Sequence, residues 1–182
     1  MKKIPTYFIR DPENPSRVIN QINPGCEWVL AEEGVSTRKW DGTACLIKNG
    51  VLFKRFDVKD GKHPPDGFIP CEPRNTGNRH WPGWVLVEPS DPNNGRHLEA
   101  LKSLWQYPED GTYELCGPKV NGNPEKLDKH VLLRHGEEKV SAPRTFEGLA
   151  DWFKDQDIEG IVWHHPDGRM AKIKKKDFGY LR

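Results

Sequence analysis

Four short stretches hold residues that could do chemistry together: Lys39-Trp40-Asp41-Gly42 with Thr43 behind it, then Glu114, then Glu159-Gly160-Ile161-Val162, and finally Lys172-Ile173-Lys174. In this order they are what a lysine nucleophile needs to take a nucleotide from a triphosphate. Such a lysine reacts as the free amine, and neighbouring cations favour loss of its proton. The same cations spread the charge that develops on a transferred phosphoryl group. Carboxylates, here Glu159 and Asp41, hold a divalent metal or its waters. Each piece alone has an ordinary reading, since Asp-Gly is a common turn pair and a carboxylate beside lysines on a sheet is commonly a solvated ion pair. Taken jointly they point to nucleotide chemistry. A domain that binds nucleotide or RNA ends without catalysis is the alternative.

The last two stretches are linked by a turn. His165-Pro166-Asp167-Gly168 has the composition of a four-residue connection between two strands. A hairpin centred between Pro166 and Asp167 places Glu159 across from Lys174 and Ile161 across from Lys172. Alternate residues of a strand share a face, so Lys172 and Lys174 project together whatever the register. His164 and His165 are adjacent in the same expected strand and point to opposite faces, which argues against a shared metal.

The remaining elements must position these groups. Residues 1–27, rich in Pro, Asn and charge, read as an irregular arm. Strands are expected at 35–40 and 44–48 around the Asp41-Gly42 turn, and Asn49-Gly50 has the sequence of a tight hairpin turn into 51–56. Residues 57–83, with many Pro, Gly and His and no period, read as a long surface loop. Further strands are expected at 84–87, 112–116 and 131–133. A helix over 97–106 follows from the spacing of Leu98, Leu101 and Trp105. Thr145 can cap a second helix whose Phe146, Leu149, Trp152 and Phe153 form one apolar face, with core packing the leading role and a ring stacked on a base the alternative. The expected fold is α+β, antiparallel sheets with a few packed helices, in a single domain over 1–182.

Composition limits the function classes. The chain has 182 residues, 28 Lys and Arg against 27 Asp and Glu, and a net charge of +1, so any nucleic-acid contact must come from local patches and not from a basic coat. Hydrophobic residues make up only 35% and mean hydropathy is −0.82, yet seven Trp, seven Phe and four Tyr are more rings than a disordered segment carries. Cys26, Cys45, Cys71 and Cys116 form no Cys-x-x-Cys pair, and the N-terminus lacks an apolar signal segment. Together these suggest reduced thiols and a cytoplasmic setting. No apolar run approaches the ~20 residues of a membrane span.

The ordered motifs resemble those of the covalent nucleotidyltransferase superfamily of polynucleotide ligases and capping enzymes. Lys39-Trp40-Asp41-Gly42 is similar to its first motif, which makes Lys39 the residue that becomes adenylylated. Tyr113-Glu114-Leu115 is similar to the third, whose glutamate holds the ribose. Glu159-Gly160-Ile161-Val162 is similar to the fourth, whose glutamate binds the metal, and Lys172-Ile173-Lys174 to the fifth, whose lysines contact the α-phosphate. Thr43, the strand Phe53-Lys54-Arg55 and the stretch 114–124 look most like the small ATP-dependent RNA ligases, with Arg55 in the part of an arginine that helps hold the nucleotide.

The resemblance implies a nucleotidyltransferase (ATP-grasp-like) domain with ATP and Mg2+ or Mn2+ as cofactors. It also implies an RNA-repair reaction: 5′-phosphate and 3′-hydroxyl RNA ends, single-stranded or nicked, are sealed through lysyl-AMP with release of AMP and diphosphate. A DNA-nick ligase is the rival enzyme. Basic groups at Lys54, Lys59 and the Lys174-Lys175-Lys176 tail are expected to grip the strand, and Gly61 to Pro82, with His63, Arg74, Arg79, His80 and Trp81, to add phosphate contacts and stacking. Two departures stand out. Only six residues follow Lys176, leaving no room for an OB-fold domain, which disfavours capping. Arg38 stands where many RNA ligases carry a glutamate that reads the adenine amino group.

Overall fold

The computed structural model describes residues 2–75, 79–104 and 108–182. Short strands with frequent turn residues dominate, as alternating patterns of four to eight residues dictate. In chain order the elements are β1 (Phe8–Arg10), β2 (Val18–Ile22), the one-turn helix α1 (Glu27–Leu30), β3 (Val35–Lys39), β4 (Thr43–Lys48), β5 (Val51–Lys59), β6 (Ile69–Pro70), β7 (His80–Leu86), α2 (Gly95–Lys102), β8 (Gly111–Cys116), β9 (Val131–Arg134), α3 (Phe146–Lys154), β10 (Gly160–His164) and β11 (Met170–Lys174). A 3₁₀ turn, Pro92–Asn94, leads into α2, and another, Lys175–Phe178, follows β11. Among the described residues the pairings between these strands are antiparallel, so the expected α+β class with antiparallel sheets and few helices is the observed one.

The chain divides into two compact units, Met1–Lys3 with Asp41–His135, and Ile4–Trp40 with Gly136–Arg182. The first is built on a six-stranded sheet in the order β6-β7-β5-β4-β8-β9. Asn49 and Gly50 both take positive φ, 52° and 74°, which is the backbone a two-residue hairpin between β4 and β5 requires. One face of this sheet packs Cys45, Ile47, Leu52, Tyr113, Leu115 and Leu132 under Ala100 of α2.

The second unit holds a three-stranded sheet, β11-β10-β3, and the β1-β2 pair. Ile161, Trp163, Ala171 and Ile173 face inward onto Tyr7, Phe8, Leu149 and Phe153, all at most 2% exposed. The Thr145 hydroxyl caps α3, accepting from the amide of Gly148 at 3.2 Å. Phe146 and Trp152 of that helix pack against the core, Phe146 edge-on to Phe8 with centroids 5.1 Å apart.

Four expectations are corrected. Residues 1–27 are not an irregular arm: Tyr7 and Phe8 are core residues, and the Tyr7 amide bonds the Lys172 carbonyl at 2.7 Å, along the free edge of β11. Residues 57–83 are not one loop, because β5 runs on to Lys59 and pairs with β7 from His80 onward, with β6 at the edge. The β10-β11 register is shifted by one: Gly160, not Glu159, faces Lys174, and Val162 faces Lys172. Gly168 takes φ +92° and adds a residue to the turn, which moves the pairing but leaves both lysines on one face. Helix α2 spans Gly95–Lys102, earlier than expected, while Trp105 and Gln106 lie outside the described residues.

Ile173 is fully buried between the two lysines of β11. Ile173→Ala should therefore lower stability by about 2–5 kcal/mol, read by denaturant unfolding. A loss under about 1 kcal/mol would mean that β11 is not anchored through this side chain.

Candidate active site

The register brings Lys39, Gly160 and Lys174 into one row across β3, β10 and β11. Pairs in such a row point to the same face, so the two lysines stand on either side of a residue that has no side chain. Glu159, just before β10, reaches in between: Oε2 accepts from Lys39 Nζ and Oε1 from Lys174 Nζ. Gly160 is required by this crowding. A Cβ there would lie 2.2 Å from the Ile173 carbonyl oxygen and 2.9 Å from Lys174 Cα.

The side chains of Lys39, Glu159 and Lys174 are 22%, 13% and 21% exposed, half-sheltered but open to a ligand. Burial pushes the Glu159 carboxyl up, but the charges and hydrogen bonds of Lys39 and Lys174 outweigh it, and the group is held below its ordinary 4.5. It is an anion at neutral pH. Lys172 stands two residues along the same face of β11, as expected from alternation alone.

Arg38 points to the other face of β3. Its guanidinium lies 4.1 Å over the Trp40 ring and 3.3 Å from Glu138.

The second group of expected residues lies in the first unit. Ala44 pairs with Glu114 across β4 and β8, which places the Glu114 carboxylate on the sheet face opposite the apolar core. Glu114 is 8% exposed, and its oxygens accept from the Gly42 amide at 3.2 Å and bond His135 Nε2 at 2.8 Å. The Asp41-Gly42 turn is clamped further. Asn121 donates to Asp41 Oδ1 and to the Gly42 carbonyl, both at 3.0 Å, and Glu125 accepts from the Asp41 amide at 3.0 Å. A Cβ on Gly42 would meet the Leu115 carbonyl oxygen at 2.2 Å.

His135, Asn121 and Glu125 were not singled out in the sequence. Asp41 and Glu159, both expected as metal ligands, belong to different units. Among the described residues no three His, Cys, Asp or Glu side chains gather to hold a metal.

Arg55 projects from the Glu114 face of the sheet, its Nε donating to Asp57 at 2.8 Å with the Trp84 ring 5.8 Å away. Lys54, its neighbour, points to the opposite face, where its ammonium meets Asn94 Oδ1 at 2.5 Å and Asp91 at 3.7 Å. Lys54 is thus tied to the turn before α2. Lys175 is 8% exposed, and its ammonium donates to the Gln156 carbonyl at 2.7 Å, just past the C-terminal end of α3. Lys176 is exposed.

The RNA ligase 1 family model matches residues 91–181, a span that includes Glu114, Glu159, Lys172 and Lys174. Mouse RNA ligase 1 is 28% identical over 218 aligned positions, covering 80% of this chain and 67% of the mouse protein. The rat protein of that name is 27% identical with the same coverage. Zebrafish RNA ligase 1 is 38% identical over 78 residues, covering 37% of this chain and 24% of its own.

Two outcomes follow from this geometry. Gly42→Ala should cost about 1–3 kcal/mol by overpacking and loosen the turn beside Glu114; an unchanged unfolding midpoint would contradict the close approach. Because the folded Glu159 carboxyl titrates below 4.5, its contribution is present above that pH and lost as pH falls through the folded value. Glu159→Gln should be less stable than wild type by on the order of 2 kcal/mol at neutral pH, with the difference shrinking in acid. A gap that stays constant with pH would refute the charged cluster.

Proposed function

The chain belongs to the RNA ligase 1 family, and from that premise we propose that it joins 5′-phosphate and 3′-hydroxyl RNA ends at the expense of ATP, through AMP carried on Lys39, on a domain of the nucleotidyltransferase fold. The observation that carries this reading is the Lys39-Glu159-Lys174 cluster: one lysine at a strand end, a second cation beside it, and an anionic carboxylate between them.

In the first step the Lys39 amine attacks the α-phosphorus of ATP; the N–P bond forms as the bond to the diphosphate oxygen breaks. Lys174 and Lys172, on the same face of the sheet as Lys39, are suited to neutralise the charge on the α-phosphate oxygens as it builds up. Glu114, buried and oriented by His135 and the Gly42 amide, is the proposed acceptor for the ribose hydroxyls. Arg55 is proposed to hold the nucleotide from the same sheet face.

The Glu159 carboxylate is a hard oxygen donor of the kind Mg2+ and Mn2+ take. Glu159 is the residue that would hold such an ion. A divalent cation bound there would supply Lewis acidity and draw the carboxylate charge away from Lys39. Lys39 attacks as the free amine. The second and third steps pass AMP from Lys39 to the RNA 5′-phosphate, then release it as the 3′-hydroxyl attacks. Lys176, exposed just past the cluster, is the basic residue proposed to meet the strand.

Purified protein incubated with α-labelled ATP and Mg2+ and run on a denaturing gel should carry label at the protein mass. Lys39→Ala should reduce it to background and Glu159→Gln by about 100-fold or more. A chase with 5′-phosphorylated RNA should discharge the label into joined product in preference to a matched DNA nick. No label on folded protein free of bound AMP, or label undiminished in Lys39→Ala, would overturn the proposal.

A further inference from the structure

The first unit contains a cavity of about 420 Å3 in which, apart from Arg55, none of the lining residues has a place in the chemistry above. Its charged lining is Lys3, Arg55, Arg79 and His80 against Asp57 and Glu72, with the buried Pro82 as floor. The volume is in the range that holds a small organic ligand and larger than a bare ion needs. The charges are unevenly spent. Asp57 is engaged by Arg55 at 2.8 Å, which leaves Glu72 alone against Lys3 and Arg79, so the cavity has a surplus of positive charge.

Its walls are fixed. The β6 strand pairs Ile69 with Trp84 and Pro70 with Gly83, and the Cys71 amide bonds the Pro82 carbonyl at 3.0 Å. On the opposite face of the sheet, where Trp81 pairs with Val58, Phe68 stacks edge-on to Trp81 at 5.0 Å, and the Trp81 indole N–H donates to the Glu72 carbonyl at 2.8 Å. Trp81 thus ties the Glu72 backbone to β7 from behind the cavity. Arg74 lies over its ring at 5.5 Å.

Placement decides what the cavity is for. In the β5-β7 register Asp57 pairs with Pro82 and Lys59 with His80, so Asp57, Pro82 and His80 stand on the same face as Arg55, which is the face that carries Glu114. Strands β5 and β7 lie two and three positions from β8, roughly 10–15 Å across the sheet at the usual strand spacing. That is one or two nucleotides along an extended strand from the carboxylate proposed to hold the ribose.

We propose that this cavity receives one phosphorylated nucleotide of the RNA strand to be joined, its phosphate against Arg79 and Lys3 and its sugar and base over Pro82 and the Arg55-Asp57 pair. The identity of the strand rests on the ligase reading; the affinity for a phosphorylated nucleotide does not. The phosphate is either the terminal 5′-phosphate or an internal one, and the two are separable.

The test is fluorescence anisotropy of the full chain with a short 3′-labelled single-stranded RNA bearing a 5′-phosphate, and with the same RNA bearing a 5′-hydroxyl. Arg79→Ala and Lys3→Glu are compared with wild type. Both residues are exposed, so a matching thermal midpoint is required of each variant. Binding should weaken about fivefold or more in each, and the salt dependence of log K should fall by ~0.7 per lost phosphate contact. Loss confined to the 5′-phosphorylated RNA identifies the terminal phosphate; equal loss on both RNAs identifies an internal one. Wild-type affinity and salt dependence in both folded variants, on both RNAs, would overturn the proposal. ATP labelling of the wild type in parallel reports on the ligase reading alone, so the two can fail independently.

Discussion

The carboxylate of Glu159 is the constraint on which the second unit's candidate chemistry turns. Two ammonium groups in one row of a three-stranded sheet are about two strand spacings apart at the backbone, and at an effective dielectric of 20 their repulsion is about 2 kcal/mol. One anion between them converts that cost into two attractions. The arrangement is possible only because position 160 is glycine, since any side chain would strike β11. The residue that could add nothing to a catalytic inventory is thus the one that lets three charged groups meet.

The first unit solves a comparable problem with hydrogen bonds. The Asp41-Gly42 turn has no side-chain bulk of its own at Gly42, and it is held by groups from far along the chain: Glu114, Asn121 and Glu125. Glu114 faces away from the apolar core because its neighbours Tyr113 and Leu115 face into it, so the strand period that builds the core also sets the direction of the polar group. His135 closes the set by bonding the other Glu114 oxygen. A buried carboxylate with both oxygens engaged is pre-oriented, so little ordering remains when a ligand arrives.

The features legible in the sequence were those that depend on short-range periodicity. Lys172 and Lys174 had to share a face, Asn49-Gly50 had to turn, and Thr145 had to cap α3; each is a local rule with one outcome. Register was not legible, because the β10-β11 turn, with Gly168 in a left-handed conformation, is one residue longer than its composition suggested. The partners of Lys54 and Lys175 were not legible either, because charge is visible in a sequence while burial is not; one is tied to the turn before α2 and the other to the end of α3. Asn121 was silent for a different reason: its partner Asp41 is 80 residues away, and no local pattern marks such a contact. The β1 and β2 strands were hidden by their Pro- and Asn-rich surroundings, although Tyr7 and Phe8 are at the centre of a core.

The claim at the centre of this account is that Lys39, and not a neighbouring cation of the same cluster, carries the nucleotide. Peptide mapping by mass spectrometry after incubation with ATP and Mg2+, under conditions that preserve a phosphoramidate bond, addresses it most directly. An AMP adduct on the peptide containing Lys39, with Lys172 and Lys174 unmodified, is the predicted result. An adduct on either of those lysines, or on no lysine of a folded and AMP-free protein, would contradict it.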